Sequence, residues 1–311
     1  MTALRAHHRG GPEVLIVEPA PVPTPADGQV LVAVHAAAIT FDELTWEETW
    51  TRGGVDRTPI IPSHEVSGVV SDIAADVTDV AVGDEVYGLI RFDRDGAAAE
   101  YVAVPAVDLA ARPSSVSHVV SAALPLAGLT AWQALVDHAK VQAGERVLVH
   151  GGAGGVGALA VELAVVLGAD VTTTVRSDAH DLVRGLGATH VIDTRTEAFD
   201  TPANPYDVVI DTVGGDTLTR SFAVLRPGGR LVTLSAPPPD GMAEAHGVTA
   251  TFFIVVPDRA QLSRLARYVD DGLLHVAIAD TFPLRDGRAA FESGRAAHRR
   301  PGKTVLTVRG E

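Results

Sequence analysis

The chain has no cysteine and only two lysines among its 311 residues. Without cysteine it forms no disulfide, offers no thiolate nucleophile and builds no cysteine-ligated zinc or iron–sulfur site. Lys140 and Lys303 are the two lysines, so 23 of its 25 basic residues are arginine. Recognition of phosphate therefore falls to arginine, hydroxyls and backbone N–H groups. Positive charge is itself scarce: 25 basic against 39 acidic side chains leave a net charge of −14. That argues against nucleic acid or an anionic membrane as the main partner. No apolar run reaches the ~18 residues that a membrane span needs. The segment Met1–Pro12 carries His7, His8 and Arg9 with no apolar run behind them, unlike a signal peptide, so a cytoplasmic protein is expected.

What is present is enough for a sizeable core. Hydrophobic residues make up 46% of the chain, and at ~150 residues per domain the length suggests two domains. The first third reads as β-rich: Val14–Val17, Gln29–Ala38, Val66–Asp72, Glu85–Ile90 and Ala98–Val104 are short apolar or alternating runs, punctuated by Pro, Gly and Asp. From Arg146 onward, strand-like runs alternate with helical ones. Strands are expected at Arg146–His150, Asp170–Val175, His190–Ile192, Asp207–Asp211, Arg230–Leu234 and Thr249–Val255. Helices are expected at Gly154–Leu167, Asp178–Leu186, Gly215–Leu225 and Asp258–Asp270. Six strands with intervening helices describe a doubly wound parallel sheet. The tail, strand-like at Leu274–Ala279 and Thr304–Val308, is too short for a domain. It is expected to return to the first one, making the nucleotide domain an insertion.

The strand Arg146–His150 runs through Gly151-Gly152-Ala153-Gly154-Gly155-Val156-Gly157 into a helix, so that Gly152, Gly154 and Gly157 fit G-x-G-x-x-G. The first glycine permits a tight turn, the second admits a pyrophosphate, and the third packs helix on strand. The helix N-terminus then turns N–H groups toward phosphate. Roughly 20 residues further on, an NAD site would carry an acidic residue for the ribose hydroxyls. This chain has Arg176 and Ser177 there instead, which favours the 2′-phosphate of NADP(H). Alternatively, Arg176 is solvated and Ser177 only caps the next helix.

Several segments together resemble the zinc-independent, quinone oxidoreductase-like branch of the medium-chain dehydrogenase/reductase superfamily. They are Ile61–Val70 (IPSHEVSGVV), Val82–Gly88, Ala123–Trp132, the glycine turn, Leu186–Asp193, Asp211–Gly215, Pro227–Val232 and Gly302–Leu306 (GKTVL). The resemblance spans essentially the whole chain. It implies a β-rich GroES-like catalytic domain from residues 1–118 and 273–311, with a Rossmann NADPH-binding domain at 119–272. It also implies an NADPH-dependent, quinone- or enone-reducing enzyme, with a quinone or an α,β-unsaturated carbonyl (enone, 2-alkenal or enoyl thioester) as substrate. A homodimer is implied too, which would cover the apolar run Thr251–Val256. By the same resemblance Thr130 lies near the nicotinamide or its phosphates, and Gly154, Gly155 and Val156 present N–H groups to the pyrophosphate. Val213, Gly214, Ser235 and the backbone from Phe253 to Val255 line the adenosine and nicotinamide sides.

The zinc-dependent relatives carry a metal-binding histidine where this chain has His64-Glu65, but their usual cysteine partner reads Ile39 here. A site made from His64 with Asp42 or Glu43 is chemically conceivable, yet no metal is expected. The relatives' Asn-x-x-Asp pattern reads Thr40-x-x-Glu43, so their polarising groups do not carry over. Thr40, Asp42 and His64 are the local candidates for catalysis. Phe41, Trp46, Trp50 and Phe253 are candidates for the pocket wall. Trp46 and Trp50, four apart, would share a helical face, either stacking on a planar substrate or plugging a domain interface. A zinc-type alcohol dehydrogenase and a non-catalytic NADPH sensor on the same fold are the alternatives.

Overall fold

The computed structural model describes residues 1–176, 179–200, 205–296 and 300–310. Contacts divide the chain into two units, Met1–Leu129 with Val256–Glu311, and Thr130–Val255. Residues 119–129 and 256–272, placed with the nucleotide domain from sequence, thus associate with the first unit. The helix Arg259–Asp270 shows why. Leu262, Leu265, Ala266 and Val269 form one buried stripe, and Tyr87 of the first unit donates its hydroxyl to Leu262 O at 2.6 Å. Asp258 caps this helix by accepting from Gln261 N at 2.8 Å.

The first unit is built on a seven-stranded sheet around the strand Gln29–Ile39. That strand opens on the apolar run Val30-Leu31-Val32 and narrows to Ala36-Ala37-Ala38, and strands pair with it on both sides. Glu65–Ile73 and Tyr101–Pro105 pair with it antiparallel. A close approach is visible at Gly68, where a Cβ would lie 2.2 Å from Ala33 O. The C-terminal tail does return to this unit: Lys303–Thr307 runs antiparallel to Gln29–Ile39, and Ile278–Pro283 lies parallel outside it. The nucleotide unit is therefore inserted between two parts of one sheet. Val32, Val34, Val66, Ile90, Trp50 and Phe291 are among the buried core residues.

The second unit holds six parallel strands in the order His190–Asp193, Asp170–Val175, Arg146–His150, Tyr206–Asp211, Leu225–Thr233, Thr249–Phe252. Numbered along the chain this is 3-2-1-4-5-6, the Rossmann order. The middle strands read as unbroken apolar or threonine runs because both of their faces are covered. Val147, Leu148 and Val149 are fully buried. The helix Gly155–Val166 follows the first strand, and Gly215–Ser221 follows the fourth.

Some elements differ from the sequence expectation. Thr2–Ala6 forms a strand against Leu15–Pro19, although only the second half of that pair alternates clearly. The last parallel strand stops at Phe252, and the expected strand at Leu274–Ala279 forms instead at Ile278–Pro283.

Candidate functional site

In the second unit the glycine turn has the tightness that a phosphate cradle needs. Gly151 has φ +75°. A Cβ on Gly152 would lie 2.0 Å from Thr173 Oγ1, and one on Gly157 would lie 2.1 Å from Gly151 O. Both positions therefore exclude any side chain. Gly154 is the N-cap of the helix and supplies no side-chain cap, so the first helical N–H groups lack that internal partner. Behind the turn, the buried imidazole of His150 hydrogen-bonds Thr174 Oγ1 at 3.1 Å and Ser221 Oγ at 3.0 Å. Burial pushes its pKa down to about 4, against the pull of Asp211, so it is a neutral tie between strand and helix.

A second turn faces the same strand ends. The buried carboxylate of Asp211 accepts from Val213 N and Gly214 N at 3.1 Å. Gly214 has φ +78°, and a Cβ there would lie 2.4 Å from Ser235 Oγ. Because all six strands are parallel, the residues just past their C-terminal ends share one edge of the sheet. The glycine turn, Arg176, Val213 with Gly214, Ser235, and Phe253 with Val255 all sit just past strand ends, where open α/β sheets bind ligands. Arg176 is exposed and has no ion pair among the described residues. Ser177 lies outside the described residues. Phe253 packs on His138, with ring centroids 4.3 Å apart, and Val255 is buried. Thr130 is buried in the helix Pro125–Trp132. The glycines thus let the turn pack tightly on Thr173 and on the following helix, whose N-terminal N–H groups, without a side-chain cap, suit the oxygens of a dinucleotide pyrophosphate.

In the first unit, polar groups gather around Glu65, which is 1% exposed. Lys303 Nζ lies 2.5 Å from Glu65 Oε2 and donates to Thr40 Oγ1 at 3.2 Å. Leu126 N donates to Glu65 Oε1 at 2.9 Å. Glu43 is equally buried and accepts from Ser63 N at 2.9 Å. Burial pushes its pKa up to about 8, with Lys303 opposing. Ser63 is held at φ +75°, a conformation that costs a serine about 1 kcal/mol or more. Its hydroxyl donates to Ala38 O at 2.8 Å. This fixed turn presents His64, which is 3% exposed. Neither of its ring nitrogens has a hydrogen-bond partner among the described residues. Burial, with Arg57 nearby, lowers its pKa to about 3, so the imidazole is neutral. Phe92 meets it edge-on at 5.3 Å and touches Trp46 at 4.9 Å.

Thr40 joins Glu65 through Lys303 and His64 lies on the fixed turn against Phe92, while the Asp42 side chain joins neither. Asp42 is exposed, and its carbonyl accepts from Thr45. The adjacent Glu43 is the buried carboxyl. Nor do the two tryptophans share a surface. Trp50 is 2% exposed in the core, and its indole donates to Leu44 O at 2.9 Å, whereas Trp46 is half-buried beside Phe92. The reason is local: the helix Glu47–Trp50 is a single turn and Trp46 is its extended N-cap. Phe41 is half-buried against the same core, under Gly294. Lys303 was not singled out as a site residue from sequence. The signal was available, since it is one of two lysines and sits in GKTVL.

Comparison with known proteins agrees with this architecture. Residues 26–114 match the alcohol dehydrogenase GroES-like domain, and residues 186–306 match a family described as zinc-binding dehydrogenase. The chain is 32% identical to the 2-haloacrylate reductase of a Burkholderia species, over 92% of this chain and 93% of that one. It is 34% identical over 91% of its length to the polyketide synthase GfsB of Streptomyces halstedii, but corresponds to only 5% of that protein. The solved quinone oxidoreductase from Coxiella burnetii superposes with a TM-score of 0.89 at 31% identity, covering 99% of both chains. The protein is a dinucleotide-binding oxidoreductase with a GroES-like unit and a Rossmann unit. It belongs to the medium-chain dehydrogenase/reductase superfamily and is quinone oxidoreductase-like. Among the described residues no group of three or more His, Asp or Glu is placed so that it could hold a metal ion.

Proposed function

We propose that the protein uses NADPH to reduce a quinone or an activated alkene (an enone, 2-alkenal or enoyl thioester) without zinc. The observation that carries the cofactor choice is Arg176. It stands, exposed and without an ion pair among the described residues, at the strand end where an NAD site would place a carboxylate. A guanidinium there suits a 2′-phosphate. The relatives named for quinone and 2-haloacrylate reduction support the acceptor class.

When bound, NADPH supplies a hydride for an electron-poor carbon. The chain's own residues do the rest. The uncapped N–H groups after Gly154 and the positive end of the helix hold the pyrophosphate. Arg176 selects the phosphorylated ribose, with Ser177 as a second candidate contact. Thr130, Val213, Gly214, Ser235, Phe253 and Val255 line the rest of the dinucleotide. Thr40 accepts from Lys303, so its own hydroxyl proton is available to a substrate carbonyl oxygen. His64, neutral and lacking a protein partner among the described residues, offers one donor and one acceptor to the same substrate. Phe41 and Trp46 give the substrate an apolar wall. A water molecule delivers the proton, to the carbon next to the carbonyl for an activated alkene and to oxygen for a quinone.

The test is NADPH consumption with a panel of quinones, 2-alkenals and enoyl thioesters. Turnover of at least one class is expected. Tight NADPH binding without turnover on any of them would instead indicate a sensor. Stoichiometric zinc in chelator-washed protein would replace this reading with a zinc-type dehydrogenase.

A further inference from the structure

The first unit contains a cavity of about 590 Å³ that the proposed reaction does not use. None of Thr40, Asp42 and His64 lines it. Its charged lining is four arginines, Arg5, Arg52, Arg57 and Arg94, against Asp93 and Asp95. In a chain of net charge −14, this is a local reversal of sign.

The arginines are unevenly satisfied. Arg5 donates to Glu18 at 2.9 Å, but its Nε is buried without a partner among the described residues. Arg57 donates to Thr49 O at 2.7 Å, and its other terminal nitrogen reaches Asp95 only at 3.4 Å. Arg52 meets Asp93 at 3.4 Å. Arg94, half-buried, makes no hydrogen bond or ion pair among the described residues. Burial and the nearby Arg52 lower its pKa. Two carboxylates face four guanidiniums, and Asp95 also accepts from Ile61 N. Cationic groups held together in a partly desolvated cleft favour an incoming anion, and guanidinium forks match the two oxygens of a carboxylate or phosphate. The rest of the wall is different in kind. Ala20, Pro21, Pro23 and Tyr101 give it an apolar side.

We propose that this cavity binds a small organic oxyanion, a phosphate ester or carboxylate, with its head on Arg94, Arg57 and Arg52 and its apolar body along Pro21, Pro23 and Tyr101. The site lies wholly within the first unit and does not depend on the identity of the hydride acceptor.

Isothermal titration of the full chain with phenyl phosphate and with benzoate tests it, each at constant ionic strength, with and without saturating NADPH. Saturable binding that persists with NADPH is expected, and the tighter probe identifies the head group. Arg94→Ala should weaken it about tenfold or more, the worth of one charge-assisted hydrogen bond. Arg52→Gln should weaken it too, and because its side chain is largely exposed this variant keeps the fold. NADPH affinity should be unchanged in both variants. Absence of saturable binding by either probe would overturn the proposal. So would displacement by NADPH, which would place the anion at the glycine turn, or equal binding by the wild type and both variants.

Discussion

The proposed preference for NADPH rests chiefly on Arg176, so its removal tests that preference directly. Arg176→Ala should weaken NADPH by about tenfold or more and leave NADH nearly unchanged, because only the former has the 2′-phosphate. Fluorescence titration of both nucleotides measures this, and equal losses would refute the role. Lys303 acts on a different quantity. Truncating it leaves Glu65 buried and unpaired, so Lys303→Met should destabilise by about 3 kcal/mol in urea unfolding. In Lys303→Met with Glu65→Gln most of that loss should return. Glu43 gives a pH signature. Its folded pKa of about 8 lies above the unfolded value near 4.5, so the folded state binds the extra proton in between. Its contribution is therefore complete below pH 4.5 and is lost as pH rises toward 8. Glu43→Gln keeps the acceptor for Ser63 N and should remove that decline. Urea midpoints of the two proteins should diverge between pH 4.5 and 8. Parallel profiles would show that Glu43 ionises normally.

At the scale of elements, the glycine turn is the part that the sequence described most completely. Gly152 is dictated by the Thr173 side chain packed against it and Gly157 by the backbone of Gly151, and glycines required at a fixed local spacing are legible in one dimension. Gly157→Ala would set a Cβ about 2.1 Å from Gly151 O. It should abolish dinucleotide binding and cost about 1–3 kcal/mol, because helix and turn must part. Nucleotide titration together with urea unfolding checks both. The stretch Thr40–Trp50 was far less legible. Periodicity put Trp46 and Trp50 on one face, but a single helical turn with an extended N-cap sends one of them into the core. The same stretch hid Glu43. A glutamate flanked by Asp42 and Leu44 looks like surface, and its burial depends on the turn at Ser63, twenty residues away. The helix Arg259–Asp270 is legible from its periodic apolar residues. Its association followed from the partner of its buried stripe, which no local pattern names.

For the whole molecule, the strand Thr249–Phe252 ends the six-stranded sheet, and the apolar residues Ile254 and Val256 beyond it are 57% and 59% exposed. An open edge of this kind invites pairing with a second copy. A dimer is expected by sedimentation at micromolar concentration, and Ile254→Lys should shift it toward monomer. Fold class, the inserted Rossmann unit and the glycine turn were determined by the sequence itself. Each rests on periodicity or on glycines whose spacing is local, and the ordered motifs extend along the whole chain. The tertiary structure alone decided which charged groups are buried together. Lys303, Glu65 and Thr40 meet because the tail's strand lies beside Gln29–Ile39, which in turn lies beside Glu65–Ile73. Arg5, Arg52, Arg57 and Arg94 share one cavity although they come from different loops and strands. Burial and charge pairing are properties of distances between remote segments, and sequence order does not encode those distances directly.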